Sequence, residues 1–518
     1  MLSAMRTNQA SSATGVLQAV LTAGCLLSAC SGDSQMTTDG TSGGETSGSS
    51  DATSSSSATS SSSESTGAAP TSDATAGATE DPDPSGFDPP DPVCGDGFVE
   101  GDEQCDDGNT DDDDACTNEC LVPCGIEWSA LEPAPTLESV IAGWHVARDD
   151  EDNVYVAGRV REVIVDQEEN VTEGPDSIAL LKYNGDGALV WSQTVVAGMG
   201  DSLVRGLVVD GASGELVIAA TIDGVDGEDI WVGRFADEAV ELWTFAYDSP
   251  FDGGDDQAAG IALAPGGDVV VSGRVAVSDK DTDVWVARLD GDSGELAWMS
   301  AYSGEFNNEF SVDRGGPVAV ASDGAVYVTA QEYVDYQTSE GTLIRFAGDG
   351  SGPEWTLAPQ ADGSAHDHTS GPIAIDSQDN VLFAVVRPGV GGNFWIYKVD
   401  AQQEVLWTRG RNDFKDMDYS WLLSGVGVGD SDELVVGGYW TNEIPGEQIS
   451  WFEAWWARLA SDDGAIECQL SYQEPSDELL PPSLAVLDVT ASPEGGALLT
   501  GEQNIEGELA VWTARFRP

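Results

Sequence analysis

GIALAPGGDVVVSGR (260–274) and TDVWVARLDGDSGELAWMSAYSG (282–304) together spell one complete structural unit. An apolar run that alternates with small residues (IALA, 261–264) meets the turn APGGD, and a second run, VVVSGR, follows. After a loop, a third run ends in Arg288, the turn DGDSG reverses the chain, and a fourth run carries Trp298. Four short strands rich in Val, Ala, Leu and Trp, punctuated by Gly, Asp and Pro, describe an antiparallel sheet of the kind that repeats as a propeller blade. We name its strands a, b, c and d.

The unit recurs across the C-terminal three-quarters of the chain. The strand d tryptophan returns as Trp128, Trp191, Trp243, Trp298, Trp355 and Trp407, roughly every 50–60 residues, a period typical of stacked supersecondary units. The matching position of the remaining unit is Cys468. Strand c closes on a basic residue in all seven copies: Lys182, Arg234, Arg288, Arg345, Lys398, Arg458 and Arg515. Five copies place a further tryptophan three residues earlier, at 231, 285, 395, 455 and 512. Small residues on strand a and indoles toward strand d fit blades that converge on an axis and diverge at a rim.

The ends of the array define the ring. LAVLDVTASPEGG (484–496), ALLTGEQ (497–503) and ELAVWTARFRP (508–518) supply strands a, b and c, but no strand d follows them. The missing strand is GIEWSALEP (125–133), at the start of the array. One blade built from both ends leaves no free sheet edge. The expected fold is therefore all-β: a seven-bladed β-propeller of four-stranded antiparallel blades over 125–518, closed by an N-terminal strand.

DNVYVAGRV (152–160) and DSIALLKYNGDGALVWS (176–192), with their equivalents, resemble the bacterial SBBP-type propeller repeat across nearly all of 125–518. ARLDGDSGELAW (287–298) is similar to the tryptophan-docking motif of quinoproteins and of outer-membrane assembly lipoproteins. Those proteins typically have eight blades, and the enzymes among them carry a vicinal disulfide over the cofactor. This chain has seven units and no Cys-Cys pair, so the resemblance supports the fold and speaks against quinone chemistry.

The first 93 residues cannot bury a core. Arg6 precedes the apolar run from Val16 to Leu27, which has the layout of a secretory signal over 1–29 and is too short to span a bilayer permanently. LSAC (27–30) resembles the bacterial lipobox, which implies cleavage before Cys30 and acylation there; Cys25, after Thr22, Ala23 and Gly24, fits less well. Such an anchor adds about 0.8 kcal/mol per buried methylene and holds the chain at a membrane effectively permanently. Residues 30–93 are rich in Ser, Thr, Asp and Gly without hydrophobic periodicity, so they read as a solvated tether. Its random-coil span is about 45 Å. The expected location is the bacterial cell envelope, on the outer membrane surface.

Charge narrows the partners. The chain carries 92 acidic and 20 basic residues, a net of −72, and removal of the leader takes only Arg6 from the basic side. A surface of this sign repels nucleic acid and favours cations or basic partners.

Residues 94–120, CGDGFVEGDEQCDDGNTDDDDACTNEC, hold cysteines at 94, 105, 116 and 120. In an exported chain an even cysteine count in a small loop-rich segment reads as disulfides. The string resembles the Myxococcus-type cysteine-rich repeat (CGDG, GEQCDDGN, then DGC and a further Cys), departing from it at Ala115, where the family has Gly. The resemblance implies a small two-disulfide module over 94–124 without catalytic activity. With Cys30 lipidated and the module's four cysteines used, Cys124 and Cys468 remain to pair with each other. The spacing lacks the paired knuckles of a zinc site. Asp106, Asp107, Asn109, Asp111 and Asp113 offer hard oxygens within one loop, which makes calcium the candidate cofactor, against the alternative of a solvated acidic turn.

Turns between strands a and b and between c and d are short. The long variable connections, b to c and d to a, emerge on one face, and recognition belongs there. They carry Tyr333, Tyr336, His366, His368, Phe414, Tyr419, Trp421, Trp440 and Trp451, with carboxylates including Asp335, Asp362, Asp367, Asp416 and Asp418. We take Tyr336, His366, His368, Trp421, Trp440 and Trp451 as the candidate binding residues, because aromatic faces beside acids suit sugars or cationic peptides. A third histidine, His145, is too distant in sequence to complete a His-rich metal site, and no nucleophile elbow, HExxH, P-loop or dinucleotide fingerprint is present. The favoured expectation is a surface protein that binds a glycan or basic protein without catalysis. The alternatives are an extracellular polymer hydrolase or lyase and an envelope-assembly scaffold. Replacing Cys30 by Ala is expected to move the chain from the detergent phase to the aqueous phase of a Triton X-114 partition; retention in the detergent phase would show that Cys30 is not the anchor.

Overall fold

The computed structural model describes residues 93–99, 105, 106, 108, 109, 116 and 120, and then 121–518 apart from 134–138, 166–170, 197–202, 226, 252, 305, 307–311, 336–337, 360–367, 388–392, 415–420, 444–449, 475–482 and 506–507. The leader, the acylation candidate Cys30 and the tether therefore lie outside the described residues.

Seven four-stranded antiparallel sheets form the ring, and the chain is a seven-bladed β-propeller. Six blades follow the order a-b-c-d along the sequence, as in the third: Gln257–Leu263, Val269–Ser278, Asp281–Leu289 and Leu296–Tyr302. The seventh combines Ser483–Ala491, Ala497–Ile505 and Glu508–Phe516 with Ile126–Pro133 as its outer strand. The registers Trp128↔Arg515 and Pro133↔Ala510, with Arg517 N–H donating to Gly125 O at 2.8 Å, zip the two ends of the array together. Among the described residues no α-helix occurs.

Burial follows from the alternation of side chains along each strand. The buried apolar residues divide into seven clusters, each filling the gap between two neighbouring blades. The gap between third and fourth blades, for example, is filled by Val284 and Val286 against Val326, Val328 and Phe346. Near the axis the sheets nearly touch. A Cβ on Gly260 of the third blade would lie 2.7 Å from Pro317 Cα of the fourth, which is why strand a needs small residues.

The strand d tryptophans do more than fill a widening rim. Trp128, Trp243, Trp298 and Trp407 lie across the c–d turn of the next blade, and Trp191 donates to Asp237 of that turn at 3.3 Å. Glycines 187, 294, 350 and 464, all at positive φ, would put a Cβ 2.6–2.7 Å from the indoles of Trp128, Trp243, Trp298 and Trp407 respectively. Only glycine combines that backbone with that proximity. In three of the four the indole N–H also bonds the same turn: Trp128 to Gly185 O at 2.9 Å, Trp243 to Gly291 O at 2.8 Å and Trp407 to Ser461 O at 3.2 Å.

In every blade this position stands opposite the terminal basic residue of strand c, as in Arg288↔Trp298, and in the sixth blade the pair is Arg458↔Cys468. The exception has a topological cause. The next blade, the seventh, joins strands c and d from opposite ends of the array, so it has no c–d turn on which an indole could dock. Cys468 instead bonds Cys124, whose Cα lies 6.3 Å away and which is buried beside Trp456, Trp512 and Phe516. A covalent link replaces the indole contact where the chain is interrupted. The cysteine-rich segment holds the other two disulfides, Cys94–Cys120 and Cys105–Cys116.

Closing a loop of this length is worth about 5–6 kcal/mol in the loop-closure account. The Cys124→Ser/Cys468→Ser double variant is expected to lose several kcal/mol of stability in guanidinium unfolding, with the outer strand of the seventh blade detaching first in hydrogen exchange. An unchanged midpoint would show that strand pairing alone holds the ring.

Candidate functional site

Tight turns such as Ala264–Asp268 and Asp290–Glu295 cap one face of the ring, each closed by its own backbone hydrogen bonds. On that face the strand c basic residues are all ion-paired: Arg234 to Glu215 at 2.7 Å, Arg288 to Asp268 at 2.8 Å and Lys398 to Asp376 at 2.8 Å are representative. In the buried Lys398–Asp376 pair, burial pushes the Asp376 carboxyl up, but the Lys398 ammonium and the Asn380 bonds outweigh it and hold the group below its ordinary value. This face is a structural girdle.

The opposite face receives the long connections. Its best-assembled patch is on the sixth blade, where strands Trp421–Val428, Leu434–Glu443 and Ser450–Leu459 run side by side. Their registers are Trp421↔Trp440, Trp440↔Glu453 and Asn442↔Trp451. Side chains two apart on a strand share a face, so Trp440, Asn442, Trp451 and Glu453 stand together on one side of the sheet. Trp451 Nε1–H donates to Glu453 Oε1 at 2.9 Å and Asn442 Nδ2–H to the same oxygen at 3.2 Å, fixing the carboxylate between the indoles. Both tryptophans are half-buried, and Trp440 rests against the core between the fifth and sixth blades. For Trp421 only the backbone is described.

The other candidate binding residues separate from this patch. Tyr336 and His366 lie outside the described residues. His368 is described and is interior, 6 % exposed, packed edge-on against Trp395 at 5.6 Å. Its backbone explains why: His368 N–H donates to Ser339 O, just as Asp313 N–H does to Thr282 O and Asp256 N–H to Glu228 O in the two preceding blades. The residue before strand a is a buried latch in these three blades. A His-x-His spacing in a loop gave no hint that its second member enters the sheet.

A cavity of about 390 Å³ opens on the same face between the third and fourth blades. Tyr302, Phe306, Glu332, Glu340, Thr342 and Thr356 line it. Glu332 and Glu340 are direct cross-strand partners, and Glu332 accepts from Tyr302 Oη at 3.3 Å and Thr342 Oγ1 at 3.3 Å. Sequence reading had no route to this pair, because the carboxylates become distinctive only when the hairpin brings them opposite each other.

In the cysteine-rich segment Asp106 is committed to the backbone rather than offered to calcium. Its carboxylate accepts N–H bonds from Gly95 (3.0 Å), Asp96 (3.1 Å), Gly97 (2.8 Å) and Gly108 (2.8 Å). Four donors occupy the four lone-pair sites of a carboxylate. Desolvation pushes the group up, and the four bonds together outweigh it and leave it below its ordinary value. Among the described residues no group of three His, Cys, Asp or Glu could hold a metal; Asp107, Asp111 and Asp113 lie outside them, and Asn109 is described.

On the inner part of the long-loop face, Glu502 stands on strand b of the seventh blade, opposite Ala485. Burial pushes its carboxyl up to about 7, with Arg159 of the first blade pulling the other way.

Comparison with known proteins adds to this picture at two levels. Residues 91–121 match a family described as a domain of unknown function (DUF4215), which covers the cysteine-rich segment. No curated protein matches the chain. Similar solved structures include a protein of unknown function from Dyadobacter fermentans, at 10 % identity and TM-score 0.43 over 76 % of this chain and 99 % of that one. The quinohemoprotein alcohol dehydrogenase of Comamonas testosteroni follows at 10 % and 0.38, over 76 % of both chains. The periplasmic gluconolactonase of Pseudomonas aeruginosa has 10 % identity and TM-score 0.34, over 64 % of this chain and 88 % of that one. Likenesses this distant carry no chemistry across.

A carboxyl whose pKa rises on folding resists ionisation in the native state, so its contribution falls as pH rises from its ordinary value toward the folded one. Between the ordinary value of 4.5 and about 7 this amounts to at most about 3 kcal/mol. Glu502→Gln is expected to raise the melting temperature above pH 7 and leave it unchanged near pH 4. Equal shifts at both pH values in a thermal melt would contradict the assignment.

Proposed function

We propose that this chain is an exported, lipid-anchored propeller that binds a glycan or a protein partner on its long-loop face. The observation that supports the reading is the sixth-blade patch, where Trp440 and Trp451 flank Glu453 and Asn442 on one side of a rigid sheet. Indole faces stack on the apolar faces of sugar rings, while a fixed carboxylate and amide accept and donate to hydroxyls. The same carboxylate beside two indoles also suits a cationic side chain, which the net charge of −72 would draw toward the surface. Acylation at Cys30 and a tether of about 45 Å would hold the ring clear of the lipid headgroups.

The cavity between the third and fourth blades favours a second reading, cleavage of an extracellular polymer. Glu332 and Glu340 are directly opposed there, which brings two carboxylates to one wall of the cavity, the residue types that an acid and a nucleophile require.

Surface plasmon resonance against immobilised polysaccharides and basic peptides separates the two. Trp451→Ala and Glu453→Gln are each expected to weaken binding tenfold or more with the melting temperature retained. Binding unaffected by either change would remove the sixth-blade patch from consideration. Release of reducing ends that disappears in both Glu332→Gln and Glu340→Gln would put catalysis in place of binding.

A further inference from the structure

Basic side chains are scarce in this protein, and the seven that end strand c are consumed by ion pairs on the tight-turn face. Three others behave differently. Arg205, Arg274 and Arg314 make no hydrogen bond or ion pair among the described residues, and each has an Nε atom that is shielded from solvent and has no acceptor. A guanidinium sheltered in this way forfeits hydration without recovering it from the protein.

The fold brings the three together. Arg205 sits at the bulge of strand a in the second blade, between Val204 and Gly206. Arg274 is on strand b of the third blade opposite Gln257, and Arg314 opens strand a of the fourth. Around them the blades abut backbone to backbone. A Cβ on Gly206 would lie 3.2 Å from Ile261 N of the third blade, and one on Gly315 would lie 2.1 Å from Gly273 O. Strand a begins and strand b ends on the long-loop face, so all three arginines lie toward that face at its inner margin.

Their electrostatics agree with this proximity. Desolvation lowers Arg274, and Arg314 and Arg205 lower it further as like charges, while Glu228 and Asp255 act in the opposite sense. Desolvation also lowers Arg205, with Glu228 opposing. Those two carboxylates have other commitments. Glu228 accepts from the Gln257 amide, and Asp255 accepts the Glu228 N–H at 3.3 Å. The protein therefore holds Arg274 close to two like charges, Arg205 and Arg314, and among the described residues none of the three has an acceptor, although 92 acidic residues were available to neutralise them.

We propose that Arg205, Arg274 and Arg314 form a binding site for a small oxyanion, a carboxylate, phosphate or sulfate group, at the inner margin of the long-loop face. Arginine forks bond the paired oxygens of such groups, and a desolvated setting strengthens each bond. The net charge of −72 sets the size of the ligand, because a polyanion is repelled by the rest of the surface while a single charged group on a small molecule pays little. This site does not depend on the sixth-blade patch, and neither Trp440 nor Trp451 enters its test.

The experiment is calorimetric titration of the full chain at low ionic strength with inorganic phosphate, inorganic sulfate and glucuronate, beside melting curves of the ligand-free variants. One-to-one binding of at least one oxyanion is expected, weakened tenfold or more in Arg274→Gln. Glucuronate alone binding would identify a sugar carboxylate as the source, and phosphate or sulfate alone a free inorganic ion. Without ligand, Arg205→Gln, Arg274→Gln and Arg314→Gln are expected to melt at or above the parent temperature, since each relieves repulsion. Absence of stoichiometric binding by all three oxyanions, binding unchanged in Arg274→Gln, or a lowered melting temperature in all three variants would each overturn the proposal.

Discussion

Each outer-strand indole that lies across a c–d turn joins two blades that are otherwise linked by packing and by single backbone bonds such as Asp313 N–H to Thr282 O, and the ring depends on this contact. Within a blade, ladders hold the strands; between blades the contact is mostly side-chain packing, which has no intrinsic register. The indole supplies one. Where the turn offers a glycine at positive φ and a carbonyl, as Gly294 and Gly291 do for Trp243, both the ring and its N–H seat on it. Buried slabs such as that between the third and fourth blades then pack in a fixed alignment. The one blade-to-blade step without a c–d turn is the one that carries a disulfide, Cys124–Cys468, which meets the same need by covalent means.

The two faces of the ring divide the labour. Short turns leave the tight-turn face as a band of ion pairs, each with a carboxylate assigned to a strand c cation. Freed from that task, the other face collects indoles, opposed carboxylates and guanidinium groups that have no partner among the described residues. Groups left with unmet bonding capacity on a rigid frame are where a ligand gains most. The acidic surface around them then selects by charge.

Much of the fold was legible because each strand carries its own punctuation. Positions such as Arg288 and Trp298 recur with the turn DGDSG between them, and the recurrence alone gives blade count, strand order and closure by 125–133. The candidate site was less legible. Trp440 and Trp451 read as loop residues, whereas the structure places them on the strands Leu434–Glu443 and Ser450–Leu459, whose register sets them together; His368 likewise read as a loop residue and is buried, because nothing in a loop sequence announces where a sheet begins. The arginines left a faint trace: Arg205, Arg274 and Arg314 are cations outside the repeating position in a chain that has few. Asp106 resembled a ligand because its type and spacing are those of a calcium loop, and only the four N–H donors around it disclose a different use.

Sequence by itself determined the periodic part of this protein: seven blades, the identity of the outer strand, the partner of Cys468 by exclusion and the face that bears the long loops. These follow from local alternation and from repetition, both of which are written residue by residue. Tertiary structure alone decided which side chains meet across blades. The opposition of Glu332 and Glu340, the docking of Trp128, Trp243, Trp298 and Trp407 on their glycines, and the gathering of Arg205, Arg274 and Arg314 depend on strand register and on how closely one sheet approaches the next. Such distances are set by the packing of the whole ring, which no single repeat encodes.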